Sequence, residues 1–336
     1  MLKSYHWLHC VTNAISAAKG SVKPKEPTKR RTAMVDSIGK VLVYGGSGVQ
    51  GSAIVRAILA AGGTVRAFMP IADANPFGDA VEVARGDLAD PASLARASEG
   101  VNKVVLSIPQ IPFRPVVTSL ARNAIAAAKD AGVKLLIWNS SSQFPATYTG
   151  HDVIDAKIDI AKDLAAAGVP WIAIRPTLFM GNLLGPWTGP GIVNDGVFAY
   201  PQPAEFKASW IAWEDLAAFI TEALKRPDLA GQTFDIGGPE ALTGTEMARI
   251  LSEAISRPVR YLPIPTADFA ASLNAAFGPS VGDNIAGVYD WSAAQPVSPM
   301  VVDLARALAA FPVKSTRFSD WAKAQNWAAL AAAPVA

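Results

Sequence analysis

The chain has almost no cysteine. Its one thiol, Cys10, cannot form a disulfide framework within a single chain, a usage that fits a reducing compartment. Histidine is nearly as rare. His6, His9 and Cys10 cluster near the start but give too few ligands for a persuasive metal site, so no metal is expected. Long apolar runs are also missing: none reaches the roughly 20 residues that span a bilayer, so the chain reads as soluble. Charge is sparse at 17%, and the net value is only +2. Residues 1–38 hold seven Lys/Arg against two acids, Glu26 and Asp36, a net +5, so the remainder carries −3. A mildly acidic body argues against nucleic acid as a partner.

What is present is apolar bulk. At 51% hydrophobic residues, the 336-residue chain can fill a sizeable core and is not intrinsically disordered in its body. Residues 1–38 read differently, as a basic, flexible extension: Lys19–Met34 is rich in Lys and Pro and lacks apolar periodicity, while the first 18 residues are weakly amphipathic and free of acid, a feature of organelle transit peptides. Arg30–Arg31 is followed by no apolar stretch. The extension is therefore read as accessory, with Met34 as an alternative start and a cytoplasmic location for the body.

From Lys40 onward, strands and helices alternate. Short β-branched runs at 40–45, 64–69, 81–88, 103–109, 134–142 and 171–176 predict strands. Helical spacing at 52–62, 90–100, 115–131 and 152–168 fills the gaps, with Asp90 as N-cap and Pro91 at the first helical position. This rhythm predicts an α/β fold: a doubly wound parallel sheet, covered on both faces, over residues 39–180. From about Gly181 to Ala208 the rhythm breaks into Pro, Gly and aromatic residues; a helix in "WEDLAAFITEALKRP", a strand in "GQTFDIGG", a helix in "TGTEMARILSEAIS", a strand in "VRYLPIP" and helices to the end follow. Residues 181–336 are expected to form a smaller, mostly helical substrate domain, with some chain returning to the first sheet. The aromatic set Phe179, Trp187, Phe198, Tyr200, Trp210 and Trp213, with Met180, serves either as pocket wall or as that domain's core.

One motif carries chemistry. Gly45, Gly48 and Gly51 form GxxGxxG between the first strand and the first helix. Gly45 permits a tight strand exit, Gly48 lets a diphosphate approach the backbone, and Gly51 lets the helix lie close to the sheet. The first-turn amides of the helix then face an anion. The loop Gly45, Ser47, Gly48, Val49, Gln50, Gly51 is accordingly the expected pyrophosphate seat of a dinucleotide.

Several stretches resemble the NmrA-like family of atypical short-chain dehydrogenases/reductases: "VLVYGGSGVQGSAIVRAIL", "ARGDLADPASLARASEGVNKVVLS", "GVPWIAIRPTLFMGNLL" and "WIAWEDLAAFITEALKRPDLAGQTFDIGGPEALTGTEMARIL". The resemblance covers about residues 39–330. It implies a Rossmann domain, NADP(H) as the usual cofactor and a variable substrate domain. It also implies adenine contacts at Asp87 and Leu88, which read equally well as a strand end and helix entry. The Arg such a family places just after the second strand aligns with Pro70, which counts against NADP(H) and keeps NAD(H) open.

For the reaction, a hydride acceptor needs a proton source. Lys157 is present, but Val153 stands four residues before it, so the tyrosine of the short-chain dehydrogenase YxxxK pair is absent. With Ile154 at 0° and 100° per residue, Lys157 falls at about 300°, within the apolar arc, whereas Asp155, Asp159 and Asp163 fall on the opposite side. A buried ammonium needs a partner, which a ribose or substrate oxygen would supply; alternatively the side chain reaches solvent at the helix start. Tyr148 and His151 are further candidate proton donors, or else simple loop and capping residues. Ser107, Gln110, Asn139, Ser141 and Gln143 lie at strand ends around the same crevice.

Two functions follow. One is an NAD(P)H-dependent reductase of a small apolar carbonyl, quinone or enone. The other, implied by the family, is a non-catalytic NAD(P) redox sensor acting on a partner protein. A scaffold without cofactor is disfavoured by the intact glycine turn.

Overall fold

The computed structural model describes residues 38–109 and 113–331. The extension before Ile38, with His6, His9 and Cys10, and the crevice candidate Gln110 lie outside the described residues.

Seven parallel strands form the main sheet. They are β1 (Lys40–Tyr44), β2 (Thr64–Met69), β3 (Glu82–Arg85), β4 (Lys103–Ser107), β5 (Leu135–Asn139), β6 (Trp171–Pro176) and, arriving later in the chain, β8 (Gln232–Ile236). Their order is β3-β2-β1-β4-β5-β6-β8, with the chain reversing direction across the sheet between β1 and β4. The pairing is fixed by registers such as Val41 with Val65 on one side and Lys103 on the other. The expected strand 81–88 shortens to Glu82–Arg85, because Gly86 and Asp87 already turn toward the next helix.

Helices cover both faces, and β1 shows why. Val41 and Val43 face one way, into a cluster with Ile54, Val55 and Ile58 of α1 (Val49–Ala60). Leu42 and Tyr44 face the other way, toward Leu94 of α2 (Pro91–Ser98), Leu120 and Ala124 of α3 (Arg114–Asp130) and Ile160 of α4 (Asp152–Ala167). The two-residue side-chain period thus serves two cores, each fully buried aliphatic side chain contributing about 1.5–3 kcal/mol. Asp90 caps α2 by accepting from Ala92 N (3.0 Å).

The later chain divides between two cores. Leu216, Phe219 and Ile220 of α5 (Trp213–Ala223) join α1 on the first face of the sheet. A separate cluster gathers Phe198, Tyr200 and Trp210 with Met247 and Leu251 of α6 (Gly244–Ile255), Phe269 of α7 (Thr266–Phe277) and Tyr289 of α8 (Val281–Ala293). This part also contains a two-stranded parallel pair, β7 (Val197–Tyr200) with β9 (Arg260–Pro263), registering Phe198 with Tyr261. The segment before β7 had shown only Pro, Gly and aromatics, which hid a four-residue strand. The short helices α9 (Ala305–Ala310) and α10 (Phe318–Lys323) close the fold. Among the described residues, no helix is long and apolar enough to cross a membrane.

Candidate functional site

The glycine loop has the geometry its sequence demands. Gly45 sits at φ +69°, in the left-handed region that β-carbons disfavour. A Cβ on Gly51 would lie 1.9 Å from Gly45 O, so only glycine lets α1 start this close to β1. Gly48 is the N-cap of α1, and no side chain caps the helix there. The first turn of α1 carries no acid. The opening amides, at Val49 to Gly51, therefore present hydrogen-bond donors and the positive end of the helix dipole to an anion. These residues fit a dinucleotide pyrophosphate. The expected helix start at Ser52 moves forward to Val49, because the glycine loop closes directly onto the helix through Ser52 N to Gly48 O (2.7 Å).

At the carboxyl ends of β4 and β5 lies a small, partly open cleft. Among its walls are Ile108, Trp138, Asn139, Ser141, Val153 and Lys157. Lys157 is buried at 7% exposure, and Nζ donates to Val153 O (3.1 Å). Burial pushes its amine down to about 8. The helical geometry that put Lys157 on the apolar arc matches this placement. The same arc misplaces Asp155, which is 3% exposed. Its carboxylate accepts from Thr149 N (2.7 Å), Thr149 Oγ1 (3.0 Å) and Gly150 N (3.0 Å), so it anchors the loop before α4.

Asn139, Ser141, Ser107 and Gln50 form one network. Gln50 Oε1 accepts from Asn139 Nδ2 (2.8 Å) and Ser141 Oγ (3.3 Å), and Asn139 Nδ2 also donates to Ser107 Oγ (3.3 Å). Ser141 holds a left-handed backbone, φ +59°, steadied by its N–H donating to Asn139 Oδ1 (3.0 Å). A strained residue locked by its neighbours at a strand end is a common companion of function. The glycine loop is thereby tied to the cleft that holds Lys157. Gln143, a second amide candidate, turns away and donates to Arg175 O (2.5 Å).

Tyr148 and His151 are not brought into this cleft. Tyr148 is 49% exposed. Its hydroxyl donates to Asp159 Oδ1 (2.8 Å) and accepts from Lys162 Nζ (2.7 Å), while the Arg114 guanidinium lies 4.6 Å from its ring centre. The paired Arg114 holds Asp159 below the usual carboxylate range. This outward ion network, which links α3 to α4, accounts for the tyrosine. His151 is the N-cap of α4, and its ring abuts Gly287 of α8, where a Cβ would sit 2.9 Å from Nδ1.

Asp87 and Leu88 follow β3 at the carboxyl edge of the sheet. Asp87 Oδ1 accepts from Ala89 N (2.8 Å) and Leu88 O from Asn123 Nδ2 (3.1 Å), so both already have structural partners. Of the aromatic set, Phe198, Tyr200 and Trp210 are core residues of the smaller cluster, and Phe179 and Trp213 belong to a sheet-face cluster. None of these lines the cleft with Lys157. Sequence reasoning missed Trp138 as a cleft wall and the reach of Gln50 to the fifth strand. The first had a signal, being one residue before Asn139; the second joins positions 89 residues apart and had none. Among the described residues, no group of three or more His, Cys, Asp or Glu could hold a metal ion.

The profile of the NmrA-like family matches residues 37–322. An NAD(P)H azoreductase of Xenophilus azovorans is 32% identical over 275 residues, covering 74% of this chain and 90% of the relative. The fold is that of the Citrobacter sp. triphenylmethane reductase complexed with NADP(H), with a TM-score of 0.70 and 20% identity over 84% of this chain and 99% of the other. It is also that of an NADPH-dependent quinone oxidoreductase from Escherichia coli, solved with NADPH, at 0.68 and 22% identity over 84% and 98%. The chain belongs to the NmrA-like family.

Proposed function

We propose that this chain is an NAD(P)H-dependent reductase of a small, apolar carbonyl, quinone or enone, with Lys157 as its proton donor. The coarser statement, an NAD(P)-dependent oxidoreductase, has the support of the azoreductase at 32% identity and of two fold relatives solved with NADPH. These also favour NADP(H) as cofactor, with NAD(H) as the alternative. The azo, quinone and triphenylmethane compounds in the relatives' names are conjugated and largely apolar, which supports an acceptor of that kind.

The observation that carries the proposal is a buried lysine amine inside the cleft at the ends of β4 and β5, whose polar rim is linked by Gln50 and Asn139 to the glycine loop. The amides of Val49 to Gly51, with Gly45, Ser47 and Gly48, would seat the diphosphate. Asp87 and Leu88 would flank the adenine, and Ser107, Asn139 and Ser141 the nicotinamide end. When bound, the cofactor supplies a hydride. Lys157 Nζ supplies the proton that completes the reduction. Burial lowers this amine to about 8, close enough to neutrality for it to give up a proton while still holding one at pH 7. The apolar walls Ile108, Val117, Trp138 and Val153 exclude water from the transfer.

The second reading is a redox sensor that binds NAD(P) and signals to a partner protein. It is favoured by Val153, which stands where the acid–base tyrosine of a short-chain dehydrogenase would be. One experiment divides the two. Quinones, azo dyes, enones and aldehydes are screened for NADPH and NADH oxidation by wild type, Lys157→Ala and Lys157→Arg. The reductase reading expects a loss of about 10²–10⁴ in kcat for Lys157→Ala, a comparable loss in Lys157→Arg, whose guanidinium keeps its proton, and a wild-type rate that falls as pH rises through about 8. Full turnover in Lys157→Ala removes the lysine from the mechanism. Tight binding with no turnover of any acceptor selects the sensor.

A further inference from the structure

The carboxyl end of β2 is folded back onto the glycine loop. Gly46 N donates to Phe68 O (3.2 Å), and the Ser47 hydroxyl donates to Asp73 Oδ2. Asp73 is only 7% exposed, although it lies in a turn after the strand. That turn is itself held in place. Asp73 N donates to Pro70 O (3.2 Å). Arg85, the last residue of β3, gives Nη1 to the carbonyls of Pro70 (3.2 Å), Ile71 (3.0 Å) and Asp73 (2.7 Å). The turn thus brings Asp73, four residues beyond the strand's end, back to the glycine loop.

In a doubly wound sheet, the end of the second strand faces the adenosine ribose of a dinucleotide. A carboxylate there accepts from the ribose hydroxyls, whereas a cation there binds a 2′-phosphate. Here the carboxylate is fixed beside the loop that fits the pyrophosphate, and Pro70 supplies no cation just after β2. The nearby guanidiniums are engaged: Nη1 of Arg85 by the three carbonyls, and Arg66 by Glu82 and by the carbonyls of Ala97 and Glu99. A phosphate brought next to the Asp73 carboxylate would meet a like charge at short range.

We propose that Asp73 is the cofactor-specificity residue of this chain: its carboxylate, presented beside Ser47, accepts an unphosphorylated adenosine ribose, so that NADH binds at least as tightly as NADPH. This separates the chain from the fold relatives solved with NADPH. It rests on the glycine loop being the dinucleotide seat.

The test is equilibrium binding and needs no substrate. NADH and NADPH are titrated against the full chain by tryptophan-to-nicotinamide energy transfer, and ADP-ribose and its 2′-phosphate by calorimetry. Wild type is expected to bind NADH with a Kd equal to or below that for NADPH. Asp73→Asn keeps an oxygen for Ser47 but removes the charge, and is expected to shift the Kd ratio at least tenfold toward NADPH. Asp73→Ser, checked for native circular dichroism, gives a second variant should the first fail to fold. A wild type that binds NADPH tenfold more tightly overturns the proposal, as does a ratio that stays within threefold of wild type in both variants. If wild type binds none of the four ligands, the seat itself is wrong, which is a separate failure.

Discussion

Replacing Lys157 by methionine should stabilise the protein while disabling it. The amine has been carried from an ordinary 10.5 to about 8 by burial, a displacement worth about 3 kcal/mol against the folded state wherever the lysine is charged in both states. Methionine fills similar space without charge. It gives up the hydrogen bond to Val153 O, worth about 1 kcal/mol, which leaves a gain of about 2 kcal/mol at pH 7. With an unfolding entropy of about 2.1 cal/mol/K per residue, a body of nearly 300 residues converts this to a rise in Tm of about 3 °C. The sign with pH is also fixed. Below pH 8 the folded and unfolded lysines both hold the proton and the penalty is complete. Between pH 8 and 10.5 the unfolded chain binds the proton that the folded one has released, so wild type gains stability as pH rises and the gap closes. Thermal scans of both proteins at pH 7 and pH 10, beside the turnover assay, test this. A variant that melts at or below wild type at pH 7, or a gap that is unchanged at pH 10, refutes the reasoning.

Other perturbations separate the seat from its surroundings. Gly51→Ala places a methyl group on Gly45 O and should cost about 1–3 kcal/mol of stability and at least tenfold in dinucleotide affinity; binding within twofold of wild type, read by the same titration, contradicts the close approach of α1 to β1. Tyr148→Phe removes a hydroxyl that only bridges Asp159 and Lys162 at the surface. It should leave stability within about 0.5 kcal/mol and kcat within threefold, whereas a hundredfold loss of kcat would put the tyrosine in the proton path.

The parts legible in the sequence were those written in local periods. Apolar runs separated by helical spacing disclosed the first six strands, and the glycine pattern in that setting disclosed the loop. A 100° step placed Lys157 inward. The same step failed for Asp155, because α4 is covered on more than one side and the loop before it turns its own amides onto that carboxylate. Tyr148 looked available because it stands just before a helix, but its partners Arg114 and Lys162 come from two different helices. The approach of Asp73 to the glycine loop was not legible, since a turn pinned by an arginine from the next strand leaves no periodic trace. The β7–β9 pair joins segments some 60 residues apart; the strand in "VRYLPIP" was legible, whereas its four-residue partner β7 left no pattern among Pro, Gly and aromatic residues.

The late arrival of β8 has a consequence for synthesis on the ribosome. Until residue 223 has emerged the first face of the sheet lacks α5, and until residue 236 has emerged β6 has a bare row of peptide groups along one side. A nascent chain halted after β6 would therefore present a sticky rim rather than a finished nucleotide-binding half. Separating that half by truncation at residue 180 is a route to aggregation; keeping it soluble requires the stretch from Trp213 to Ile236 to remain attached.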